Sequence, residues 1–179
     1  MKIIVLAGGL SPERDVSLTS GAGICKTLRE KGHQAFLLDV FFGLPYDTDK
    51  LDEVFDLPGG GLEIAEGIKT TVPDLEALKK QRPDQSDCLI GPNVLELCKM
   101  ADITFMGLHG SIGEDGKLQA MFDIVDIHYT GPNALSCTLS MNKLVSKQIF
   151  KMSGVPTPRG TSLTPKTKDT PLSELGYYL

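Results

Sequence analysis

With 179 residues, 41% of them apolar, the chain has enough apolar material for one packed domain, which argues against extensive disorder. Its formal net charge of −5, with no basic block, argues against nucleic acid or an anionic membrane surface as the main partner. The four cysteines (Cys25, Cys88, Cys98 and Cys137) include no Cys-x-x-Cys pair, so neither a metal centre nor a disulfide framework is expected.

The apolar run within Met1 to Gly9 is too short for a signal peptide or a membrane span, so a cytoplasmic protein is expected. Ile3 to Leu6 reads as an inner parallel strand buried on both faces, ended by Gly8 and Gly9. A polar turn, Leu10 to Asp15, leads into a helix from Val16 to about Glu30, stopped by Gly32. Cys25 falls on its apolar face beside Leu18, Ala22 and Leu28, as a small buried hydrophobe. Gln34 to Asp39 is the second strand. The glycine-rich turn invites a dinucleotide fingerprint, but the spacing requires glycines where Leu10 and Glu13 stand. Glu13 would also repel a pyrophosphate, so a nicotinamide cofactor is rejected.

Residues 41–85 read as an elaborated connection holding a hairpin or short helix and no chemistry. Within them the Lys79-Lys80-Gln81-Arg82 cluster has the composition of a solvated face. Asn93-Val94-Leu95-Glu96 resembles a capping box that starts a helix running through Met100.

Ile103 to Leu108 reads as a buried strand that empties into His109-Gly110-Ser111-Ile112-Gly113-Glu114-Asp115-Gly116. A helix is expected at once, because Leu118, Met121, Phe122 and Val125 repeat at i, i+3, i+4, i+7. Strand, glycine-rich turn and helix amino end together suit a negatively charged group. The same pattern suits an ordinary turn whose glycines serve only φ > 0; the similar unit at the amino terminus favours a site. Glu114 and Asp115 are expected to fix the loop and cap the helix rather than ligate metal. Ile127 to Thr130 reads as a short strand and Gly131-Pro132-Asn133 as a turn. Met141, Leu144, Val145, Ile149 and Met152 share a helix face ending at Gly154. Val155-Pro156-Thr157-Pro158 reads as a rigid linker, followed by a polar stretch with an apolar end, Leu175 to Leu179. His33 and His128 are expected at the surface.

Gly8-Gly9-Leu10-Ser11-Pro12-Glu13-Arg14-Asp15-Val16-Ser17-Leu18, the His109 to Gly116 loop, Tyr129-Thr130-Gly131 and Ser140-Met141-Asn142-Lys143 together resemble the D-alanine:D-alanine ligases of the ATP-grasp superfamily. The resemblance implies an α/β fold: a Rossmann-like, mainly parallel sheet with helices on both faces, the pre-ATP-grasp domain. It implies a substrate-binding amino-terminal domain over residues 1–154, then a linker and the start of the ATP-grasp nucleotide-binding domain over 155–179. It also implies joining of two D-alanines through an acyl phosphate, driven by ATP with Mg2+, for peptidoglycan precursors. The parent enzyme would be a homodimer.

Three residues carry over by their motif positions. Glu13 matches the catalytic glutamate that holds the first D-alanine's ammonium. His109, beside Gly110, matches the histidine lining the same subsite. Lys143 matches a lysine on the ATP phosphates. A carboxylate suits an ammonium, and a lysine suits a phosphate as a flexible point charge. The magnesium ligands of the family are expected beyond this chain, which is expected to be inactive alone. A D-alanine:D-lactate ligase shares these motifs, and a non-catalytic ligand-binding module is the alternative should the chain truly end at Leu179.

Overall fold

The computed structural model describes residues 1–45, 48–166, 168–171 and 173–174. They divide into two compact units, Met1–Thr138 and Leu139–Leu179. The apolar end expected at Leu175 to Leu179 lies outside the described residues.

In the first unit, strands β1 (Lys2–Ala7), β2 (Gln34–Asp39) and β3 (Ile103–Met106) form a parallel sheet in the order β2-β1-β3. Both flanking strands pair with β1, Leu6 lying opposite Leu38 on one side and Met106 on the other. β1 is therefore the inner strand, and its continuous Ile-Ile-Val-Leu run is what burial on two faces requires. Alternation sorts its side chains. Ile3, Val5 and Ala7 join Ala35 and Leu37 against Leu18 and Cys25 of helix α1 (Arg14–Glu30). Ile4 and Leu6 join Phe36 and Leu38 against Val94 and Leu97 of α3 (Val94–Met100) and Leu118 and Phe122 of α5 (Lys117–Ile124). Helices thus cover both faces, as the motifs implied.

The connection from 41 to 92 holds 3-10 turns over Thr48–Asp56 and Leu62–Ile64 and a short helix α2 (Leu75–Gln81). Two expectations fail here. Arg82 is not part of a solvated face: it is buried, over the ring of Phe41, with its guanidinium bonded to Cys88 O, Ile90 O and Asp84. A buried guanidinium needs several acceptors, and the loop curls around it to supply them. Asn93 does not form a capping box. It takes a left-handed φ of 59°, its side chain makes no capping bond, and Nδ2 donates to Leu44 O at 2.8 Å.

β3 stops two residues earlier than expected. Gly107 N still donates to Leu6 O (2.8 Å), after which the chain leaves the sheet. The helix does not follow at once, because one turn, α4 (Ser111–Glu114), comes first. Gly116, at φ 91°, then turns the chain into α5. At the amino end of α5, Asp115 Oδ1 accepts the Lys117 amide at 3.0 Å and Oδ2 takes its ammonium. Ile127 to Thr130 forms one parallel bridge to β3, Thr104 with Tyr129, rather than a strand. The ladder ends because Met106 N donates to the Thr130 hydroxyl (3.0 Å) and Pro132, two residues on, has no N–H.

The expected helix through Met141 and Met152 is two helices, α6 (Ala134–Met141) and α7 (Lys143–Met152). Asn142 separates them, its Oδ1 accepting Val145 N at 3.2 Å as the cap of α7. In the second unit, Ser146 Oγ donates to Leu139 O (2.7 Å) and Lys147 Nζ donates to Pro158 O. Among the described residues no helix is long and apolar enough to cross a membrane.

Candidate functional site

Because β1 and β3 are parallel neighbours, their carboxyl ends release two loops side by side, 8–13 and 107–110. Glu13 is the first residue before α1, and its carbonyl accepts Ser17 N at 3.0 Å. Ser11 Oγ accepts the Glu13 amide at 3.1 Å, which fixes the backbone from which the carboxylate projects. That carboxylate lies over the opposite loop. A β-carbon built on Gly110 would stand 2.8 Å from Glu13 Oε2 and 3.0 Å from Ser11 Oγ. Gly110 also has φ +64°, a left-handed backbone that favours glycine, and the open Cα leaves room for the Glu13 carboxylate. Glu13 is exposed and has no ion-pair partner among the described residues. His109 is half-buried, its Nε2 3.4 Å from Ser20 Oγ on α1.

Two buried devices hold these loops. The first is the ion pair of Arg14 and Asp39, which sit at the start of α1 and the end of β2. Arg14 also donates to Gly9 O (2.9 Å) and stacks on Phe42, while Asp39 Oδ1 accepts the amides of Phe41 (2.8 Å) and Phe42 (3.0 Å). The second is Ser17, whose hydroxyl accepts from Gly8 N (2.9 Å) and donates to Gly107 O (2.7 Å). The Gly8 amide is thereby committed to the Ser17 hydroxyl.

The sequence reading did not single out Arg14, Asp39, Ser17 or Ser20. A signal was present for the first three. Asp39 ends an apolar strand and needs a partner, and Arg14, Ser17, Leu18, Gly21 and Cys25 form the buried stripe of α1 at helical spacing. Nothing in the pattern marked Ser20.

A model of the family "D-ala D-ala ligase N-terminus" matches residues 2–132, the span that carries both loops. The chain belongs to this family. It is similar to the D-alanine--D-alanine ligase of Lacticaseibacillus casei (strain BL23), 45% identical over 159 residues that cover 88% of this chain and 43% of the relative. The D-alanine--D-alanine ligase of Pediococcus pentosaceus is 39% identical over 160 residues, covering 88% and 44%. The chain therefore spans less than half the length of these relatives. The fold is that of the Bacillus anthracis D-alanine--D-alanine ligase complexed with ATP, with a TM-score of 0.60 at 24% identity over 98% of this chain and 42% of that one.

Within this ligase amino-terminal region the structure brings Glu13, Gly110 and His109 to adjoining loops. Lys143 belongs to the other unit. It is exposed at the first turn of α7, and its ammonium donates to Ser140 O at 2.7 Å. Asn142 caps that helix end with a neutral side chain, so Lys143 adds a positive charge to a positive dipole end. Such a pair of features suits a phosphate.

Proposed function

We propose that this chain supplies the subsite for the first D-alanine in an ATP-dependent D-alanine:D-alanine ligase. The observation that carries the proposal is the exposed Glu13 carboxylate, without a cationic partner among the described residues, held over Gly110 beside His109. An amino-acid ammonium is the complement of that carboxylate, through a charge-assisted bond. The names of the relatives favour the dipeptide product over a depsipeptide.

In this reading residues 1–154 form the substrate-binding domain, and 155–179 begin the nucleotide-binding one. Lys143 meets ATP phosphate oxygens. Among the described residues no group of three or more His, Cys, Asp or Glu could hold a metal ion. The acidic ligands of Mg2+ are placed, as the family resemblance implies, in the remainder that the relatives carry. ATP supplies the phosphoryl group that activates the first carboxylate, while the residues of this chain hold the amino acid still. The setting is cytoplasmic peptidoglycan precursor synthesis by a homodimer.

The test is steady-state kinetics on this chain joined to the remainder of a ligase, with Glu13→Gln. We expect the KM of the first D-alanine subsite to rise at least tenfold, about 1.4 kcal/mol of lost binding, with ATP use little changed. Unaltered D-alanine kinetics would remove Glu13 from the subsite.

A further inference from the structure

The hydroxyl of Ser20 has three neighbours. Val16 O lies at 2.9 Å, Ser17 O at 3.1 Å and His109 Nε2 at 3.4 Å. A hydroxyl has one proton to donate and lone pairs to accept with. The two carbonyls are pure acceptors and are closer, so the proton goes to the helix backbone. The contact with His109 then closes only if Nε2 brings its own proton and donates to Ser20 Oγ. In a neutral imidazole that leaves Nδ1 unprotonated, because the bond made by one ring nitrogen decides the state of the other. Nδ1 has no hydrogen-bond partner among the described residues.

We propose that Ser20 is a positioning residue for His109: it holds the ring in the Nε2–H tautomer and presents Nδ1 as an acceptor beside the Gly110 loop. The consequence for ligand chemistry is definite. A neutral ring so held takes a hydrogen bond from an N–H donor, such as the ammonium assigned to Glu13, and has no proton on Nδ1 to give to a carboxylate. Ser17 supports the geometry from one turn earlier. Its hydroxyl pins Gly107, two residues before His109, to the same helix. α1 thereby sets the height of the loop with one serine and the state of the ring with the other. The ligand part of this inference rests on the D-alanine subsite reading, whereas the tautomer does not.

The experiment is a long-range 1H–15N correlation spectrum of the 179-residue chain without substrate, at about pH 8, above the ordinary histidine range. Only three histidines are present (His33, His109 and His128), so assignment by single substitution is direct. We expect His109 to show a pyridine-type Nδ1 and a pyrrole-type Nε2. In Ser20→Ala the two nitrogen shifts should move toward one another as the tautomers mix, with His33 and His128 unchanged. Ser20→Thr, which keeps a hydroxyl able to bond the i−4 carbonyl, should restore the wild-type pattern. A wild-type spectrum showing Nδ1–H overturns the proposal whether or not the variants fold. So does a folded Ser20→Ala chain with an unmoved His109, the result expected if Ser20 only bonds its own helix. The readout needs no substrate, so a failed D-alanine subsite leaves it interpretable.

Discussion

Ser17 Oγ donates to the carbonyl of Gly107 at 2.7 Å across ninety residues of sequence. The same hydroxyl accepts the Gly8 amide at 2.9 Å. One buried atom thus joins the ends of β1 and β3 and sets the spacing of the two loops that carry Glu13 and His109. Ser17→Ala should cost about 1–3 kcal/mol, because a buried carbonyl and a buried amide lose their partner together. Urea denaturation of the chain measures it, and a change within about 0.5 kcal/mol, the range of an inert surface site, would mean that water replaces the hydroxyl.

The Arg14–Asp39 pair is buried on both sides. Asp39→Ala should destabilise the chain by about 3–5 kcal/mol, since it leaves a guanidinium buried without a counter-charge. The double replacement Arg14→Met with Asp39→Leu should recover much of that loss, because no charge then remains to be desolvated. If the double variant is no more stable than the single one, the hydrogen bonds of Asp39 to Phe41 and Phe42 outweigh the charge effect.

Gly110→Ala separates stability from function. The left-handed backbone costs an alanine about 1–2 kcal/mol. The new methyl meets Glu13 Oε2, the mobile tip of a side chain, which can swing away. We expect a modest loss of stability but, with this chain joined to the remainder of a ligase as proposed above, a D-alanine KM raised tenfold or more. The two quantities are read by denaturation and by initial rates, and equal KM values would place Glu13 elsewhere during catalysis.

On the proposed function, Lys143→Ala in this chain joined to the remainder of a ligase should damage ATP use more than D-alanine binding. A cation that meets charge developing in transfer is worth roughly 10²–10³ in rate, by analogy with other electrostatic stabilisers. Normal turnover and a normal ATP constant would leave Lys143 as the surface lysine that donates to Ser140 O.

The thiols carry a pH prediction. Burial pushes Cys25 up to about 11 and Cys98 up to about 12, from an ordinary value of 9.0. Both stay protonated in the folded chain where the unfolded chain would ionise them. Their contribution to stability is complete below about pH 9 and falls as pH rises toward 11–12. Denaturant midpoints measured from pH 8 to 10.5 should decline, and Cys25→Ala with Cys98→Ala should flatten that decline. Cys88 is the exposed thiol and should be alkylated first.

Local pattern was enough for much of this protein. The apolar runs at Ile3 to Leu6 and Ala35 to Leu38 suit a parallel sheet covered on both faces, and the helical repeat in Leu118, Met121 and Phe122 supplies a cover for one face. The motif positions of Glu13, His109 and Gly110 were legible for the same reason: each is a short string read within one loop. What the tertiary structure alone decided involves partners distant in sequence. Arg82 read as one more surface cation, yet Phe41 and the carbonyls of Cys88 and Ile90 bury it. Asn93 looked like a cap, but Leu44 O claims its amide. Ser17 and Ser20 were ordinary helix serines until β3 brought Gly107 and His109 against them. A side-chain hydroxyl or guanidinium carries no record of which acceptor it will meet. That is settled by strand order, which places the ends of β1 and β3 side by side and so brings two separate motifs onto adjoining loops.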